Sequence, residues 1–136
     1  MKYTRDPIMS PSQKVLDWLI DTVKSCHPHL AVDLGTGAGT SAETISRGSN
    51  LTITIENDKK FLLPENTEKV ISIYAPLRPI DKGRLWYDKF VLSSFFKGLA
   101  KEIDFLWIDG PMRRYGREEA LVFLKNILGR STGFPP

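Results

Sequence analysis

The stretch Leu30-Ala31-Val32-Asp33-Leu34-Gly35-Thr36-Gly37-Ala38-Gly39-Thr40 decides the fold. It opens as a short, mostly apolar run and breaks into glycines at alternate positions, the pattern of a buried strand ending in a tight loop. Glycines there let the main chain turn sharply and approach a ligand with no side chain in the way. Thr40 to Arg47 then reads as a helix stopped by Gly48. A helix beginning at such a loop presents its free N–H groups to whatever lies on the loop.

Working outward, the same alternation repeats. Ser10-Pro11-Ser12-Gln13 is a helix start, with a cap at Ser10, proline at the first helical position and glutamine three residues after the cap. Val15, Leu16, Leu19, Ile20 and Val23 mark one face of that helix. Leu51, Ile53 and Ile55 alternate with threonines as a second strand, and Val70 to Tyr74 is a third. Pro64 limits any helix between them to about one turn. Trp86 to Leu99 has helical spacing, with Phe90, Val91, Phe95 and Leu99 on its apolar side. Phe105 to Ile108 is a fourth strand, and Arg117 to Leu128 a helix stopped by Gly129. Strands alternating with helices imply an α/β fold, a doubly wound parallel sheet with helices on its faces.

Composition bounds the rest. The 136 residues suffice for a single domain over 1–136 and are too few for two. Apolar residues at 41% and charged residues at 26% are globular proportions. No apolar run approaches the roughly 20 residues of a membrane span, and MKYTRDPIMS lacks the apolar core of a signal peptide. Cys26 stands alone, which excludes an internal disulfide framework. The expectation is a cytoplasmic protein with no membrane partner. The net charge of +3 is small, and only Arg113, Arg114 and Arg117 cluster. That distribution argues against a nucleic-acid partner.

In doubly wound sheets ligands sit at the carboxyl ends of the strands, where the strand order reverses. The loop there excludes two readings. A phosphate-binding loop of the GxxxxGK[ST] kind needs a lysine that is absent, and the dinucleotide fingerprint needs glycine or alanine where Thr40 stands. Thr40 and the acid Asp33 likewise disfavour a nicotinamide-dinucleotide domain. Asp33 lies two residues before the first glycine, at the end of an apolar strand, where burial is costly without a partner. A ligand ammonium would be one partner, and loop N–H groups another. Glu56 closes the second strand 19 residues after Gly37, where an acid can accept from both hydroxyls of a ribose. Together the two acids and the glycines point to a ligand bearing adenosine.

VDLGTGAGTSAETI followed by ITIENDKKF resembles the first two motifs of class I S-adenosylmethionine-dependent methyltransferases, and Ile103 to Pro111 is similar to the fourth. The run from Tyr74-Ala75-Pro76-Leu77 through Trp86-Tyr87 to Asp109-Gly110-Pro111 resembles a bacterial branch related to small-molecule O-methyltransferases. The likeness covers about residues 10 to 129. It implies S-adenosyl-L-methionine as cofactor and a small-molecule hydroxyl as acceptor. By the same resemblance, Asp33 and the loop residues Gly35, Thr36, Gly37 and Gly39 would hold the methionine end. Glu56 would hold the ribose, Asn57 would flank the adenine, and Ala75 and Pro76 would help form the adenine pocket. Asp109 would face the sulfonium and the acceptor, as the catalytic base or as an orienting group.

Other residues carry plainer readings. His27 and His29 precede the first strand, at the end opposite the glycine loop, and no metal is expected. Metal-dependent O-methyltransferases would join the Asp109 position with acids after a fifth strand, which this sequence lacks. Trp86, Tyr87 and Phe90 fit core or pocket wall, and the three arginines fit either an anionic acceptor or an exposed cluster. Asp109-Gly110-Pro111-Met112 differs from the [DN]PP[YF] motif of DNA- and protein-amino-methylating members. The family sheet has seven strands, whereas Gly129 to Pro136 carries two glycines and two prolines and is not a central strand. The expectation is therefore a core lacking the last three strands, as though cut short after the helix that follows strand four. It leaves strand four at an open edge, where a second copy or a partner chain would pair. The alternative to an enzyme is a minimal cofactor-binding module without activity of its own.

Overall fold

A computed structural model describes residues 11–97, 99, 102–111 and 115–122. In chain order its elements are α1 (Gln13–Cys26), β1 (Leu30–Leu34), α2 (Thr40–Ser46), β2 (Leu51–Glu56), a 3-10 turn at Lys59–Phe61, β3 (Val70–Tyr74), β4 (Leu77–Pro79), β5 (Leu85–Tyr87), α3 (Lys89–Lys97) and β6 (Phe105–Ile108). The main sheet runs β3-β2-β1-β6 with every neighbouring pair parallel. β6 is the fourth strand of the sequence reading. This is a Rossmann-like α/β core, with its reversal of strand order at β1.

The alternation of side chains explains the two layers. Leu30, Val32 and Leu34 of β1 and Ile53 and Ile55 of β2 pack on one face with Trp86, Tyr87, Leu92 and Phe96. Ala31 joins Leu19 and Val23 of α1 and Ile45 of α2 on the other, beside Phe105 and Trp107. Fully burying such aliphatic side chains contributes about 1.5–3 kcal/mol each. The threonines that alternate through β2 are not on a wet face. Thr52 and Thr54 are fully buried, because helices cover both sides of a parallel sheet. Their hydroxyls are satisfied locally, Thr52 by Ser49 at 2.6 Å and Thr54 by Thr36 at 2.7 Å.

β6 is tied to β1 beyond its ladder. The Asp104 carboxylate accepts from the amides of His29 and Leu30 at 2.9 and 3.0 Å, just before the two strands begin. At the far end the Asp109 amide donates to the Leu34 carbonyl at 2.8 Å.

Three sequence expectations are corrected. Helix α1 is capped by Ser12, whose hydroxyl accepts from the Val15 amide, so the cap lies two residues later than expected; Ser10 falls outside the described residues. Trp86 and Tyr87 are not helical. They form β5, paired antiparallel with β4, and the helix starts only at Lys89. Asp88 sets that start by accepting from the Phe90 and Val91 amides, which turns Leu92 and Phe96 inward and leaves Phe90 80% exposed. Phe90 is therefore neither core nor pocket wall. Of the expected helix from Arg117, residues 119–122 are helical and the remainder lies outside the described residues, as do Gly129 to Pro136.

Candidate functional site at the strand ends

The loop after β1 has the geometry its glycines allow. Gly35, Gly37 and Gly39 have φ of 95°, 52° and 85°, a region closed to most side chains. The Gly35 amide donates to the Ile55 carbonyl at 2.8 Å and the Gly39 amide to the Thr36 carbonyl at 2.9 Å. Gly35 also touches the turn after β6. A Cβ on it would lie 2.8 Å from the Asp109 carbonyl carbon and the Gly110 nitrogen. The loops that follow β1 and β6 thus meet main chain to main chain.

Asp33 is fully buried, and its partners are two hydroxyls, Thr54 at 2.9 Å and Ser41 at 3.3 Å. It does not cap the glycine loop. Burial pushes its carboxyl up to about 7, the hydroxyl bonds pull the other way, and the negative charges of Asp109 and Glu56 push it further up. Thr36, buried and bonded to Thr54, extends the same chain of hydroxyls into the loop.

Glu56 sits at the end of β2 and is nearly buried. One carboxylate oxygen accepts from the Gly37 amide at 3.1 Å, and the other from the Asn57 and Asp58 amides at 2.8 and 2.9 Å. It therefore anchors the glycine loop across the β1–β2 boundary. A carboxylate has about four lone-pair positions, so a ribose diol would take the one left and compete with Gly37 for another. Ala75 is buried and donates its amide to the Glu56 carbonyl, while the Pro76 carbonyl accepts from the Asp88 amide. Asn57, Ala75 and Pro76 are thereby grouped beside Glu56.

Asp109 directly follows β6, with a side chain 43% exposed. Arg117 donates to the Asp109 and Pro111 carbonyls at 3.0 and 2.8 Å, and its guanidinium lies 3.9 Å from the Asp109 carboxylate. It straps the turn after β6. Arg113 and Arg114 lie outside the described residues.

Sequence reasoning underrated Tyr87. Its hydroxyl is buried without a hydrogen-bond partner among the described residues. It lies against Gly110, where a Cβ would collide with it. Burial raises this phenol well above its ordinary pKa, and the charges of Glu56, Asp33 and Asp109 add to the rise against Arg117. The turn signal Asp81-Lys82-Gly83, with Lys82 and Gly83 at φ 43° and 77°, could have revealed the hairpin that delivers it. His27 and His29 are exposed at the other end of the sheet, and His29 pairs with Asn50 at 3.0 Å. Among the described residues no group of three or more His, Cys, Asp or Glu could hold a metal ion.

No protein-family model and no curated protein sequence matches the chain. Among solved structures it is similar to the crystal structure of YcgJ protein from Bacillus subtilis. That match has 19% identity and a TM-score of 0.36, and it covers 54% of this chain and 36% of that one.

Chemically, the strand ends offer three carboxylates and a loop of left-handed glycines. The raised Asp33 carboxyl would be relieved by a cation beside it. Among the described residues no helix is long and apolar enough to cross a membrane.

Proposed function

We propose that the strand ends bind S-adenosyl-L-methionine and that the chain carries the cofactor half of a methyltransferase acting on a small-molecule hydroxyl. The observation that carries this reading is the union of loop and acid. The glycine loop after β1 is bonded through Gly37 to Glu56 at the end of β2, beside the reversal of strand order where Rossmann-like sheets take ligands. The donor set fits. Glu56 keeps acceptor capacity for a ribose hydroxyl, and the buried Asp33 is a carboxylate that a ligand ammonium would relieve.

Bound there, the sulfonium supplies an electrophilic methyl. The protein's task is mainly alignment, since holding acceptor and methyl in line accounts for much of such a rate. Asp109, fixed by the hydrogen bond from its backbone amide to the Leu34 carbonyl and by Arg117 on its own carbonyl, takes the proton of the acceptor hydroxyl. Among the described residues β6 has a strand neighbour on one side only. That open edge is where a second copy or a partner chain would complete the acceptor half. It also favours a second reading, a cofactor-binding module inactive until paired.

Calorimetric titration with S-adenosylmethionine, S-adenosylhomocysteine and NAD tests the first step. Micromolar binding of the first two and none of NAD is expected. Glu56→Ala should weaken both by severalfold to a hundredfold, since hydrogen bonds to a charged group contribute about 1.5–3 kcal/mol. Unchanged affinity in that variant removes Glu56 from the site, and no binding by the parent chain ends the reading.

A further inference from the structure

Two buried side-chain polar atoms lack a partner among the described residues, Tyr87 Oη and Trp107 Nε1. The indole belongs to the face covered by α1, where its ring meets Trp18. The phenol is different, because it stands where three carboxylates and two loops converge. Buried polar groups are satisfied in the great majority of native structures. An orphan at a ligand-binding end of the sheet therefore points to a ligand.

The surroundings say which group. Glu56, Asp33 and Asp109 all act on this hydroxyl with negative charge, and Arg117 opposes them. A ligand carboxylate would be repelled there, whereas a cationic N–H donor would be drawn in. A phenol that stays neutral offers that donor its oxygen lone pairs. The ring is held edge-on by Trp86 at 5.1 Å and by antiparallel pairing of β5 with β4, so the oxygen is fixed before any ligand arrives. The oxygen lies beside Gly110, where an added Cβ would meet it, and Gly110 in turn packs on Gly35.

We propose that Tyr87 is a selectivity residue of the strand-end site, its hydroxyl oxygen accepting a hydrogen bond from the ammonium of an amino-acid-bearing adenosine ligand. The inference rests on the adenosine-ligand reading above and goes beyond it by giving the ammonium a second recognition atom besides the Asp33 carboxylate. Tyr87→Phe removes the oxygen alone. The test is calorimetry of parent and variant with S-adenosylhomocysteine, which carries the ammonium, and with 5'-methylthioadenosine, which lacks the amino-acid part. The expected result is a five- to twentyfold loss for the first, less than twofold change for the second, and a melting temperature equal to the parent's or higher. Equal affinities in parent and variant for both ligands overturn the proposal while leaving the adenosine reading standing. Loss of both by one factor also overturns it, since that marks a packing role. If the parent binds neither ligand, both readings fall together. Should the variant not fold, ring-labelled tyrosine in the parent serves instead. The Tyr87 ζ-carbon resonance should move with S-adenosylhomocysteine and stay fixed with methylthioadenosine, and equal movement with both overturns the proposal.

Discussion

Asp33 shows what a single residue reveals and withholds. The sequence marks it as an acid buried at a strand end, because aliphatic neighbours surround it and glycines follow. The hydroxyls that hold it, Ser41 and Thr54, lie 8 and 21 residues away and become its neighbours only when α2 folds over the sheet. Its carboxyl, raised from 3.8 to about 7, favours the protonated form in the folded state. Stability is therefore greatest below about pH 4 as far as this group is concerned, and is lost as pH rises toward 7. The loss is on the order of 4 kcal/mol at most. The ligand-free protein should melt several degrees lower at pH 8 than at pH 5, and Asp33→Asn, which keeps an acceptor for the hydroxyls, should flatten that dependence. A cation beside Asp33 reverses the preference. Affinity for S-adenosylmethionine should climb about tenfold per unit up to pH 7 and then level off. A flat binding profile places the cation elsewhere. Tyr87 was the opposite case, since nothing local to a tyrosine announces that its hydroxyl will be left alone.

Among elements, the ones with clean periodicity were legible and the short ones were not. β1, β2, β3 and β6 stand where their apolar runs put them, and α2 starts at Thr40 as its glycine boundary requires. The β4–β5 hairpin escaped because its strands are three residues each, and Trp86, Tyr87, Phe90 and Val91 imitate a helical face. The phase of α3 escaped with it, because Asp88 fixes the first turn. The Gly35–Gly110 contact yields the sharpest test at this scale. Gly110→Ala drives a methyl against the Tyr87 hydroxyl and the Gly35 Cα, and should cost about 2–4 kcal/mol by chemical denaturation. Gly83→Ala is the matched comparison. Its φ of 77° is strained for alanine, yet nothing lies within 4 Å of the added methyl, so about 1 kcal/mol is expected. Equal losses would show that backbone strain, not the close approach, governs both.

For the molecule as a whole, a parallel sheet with helices on its faces follows from strands alternating with helices, and the sequence carried that much; the order β3-β2-β1-β6 is seen only in the folded chain. Among the described residues β6 has no strand on its outer flank, and pairing is proposed there. If it pairs with a second copy, sedimentation should show association rising through the micromolar range, and Ile108→Lys, at a position 37% exposed on that strand, should abolish it. A monomer at all such concentrations removes the pairing. The strand's inner flank has a different consequence, seated in Asp104. Its carboxylate grips the two amides at the entry to β1, about 17 Å of strand away from the first glycine, at 3.3 Å per residue. A carboxylate so placed acts as a datum. It leaves β6 one way to lie, and a slip by one residue would send Phe105 and Trp107 to the opposite layer. The meeting of Gly110 with Gly35 is thus surveyed from the far end of the sheet, and a lesion at Asp104 would be felt first where no part of Asp104 reaches.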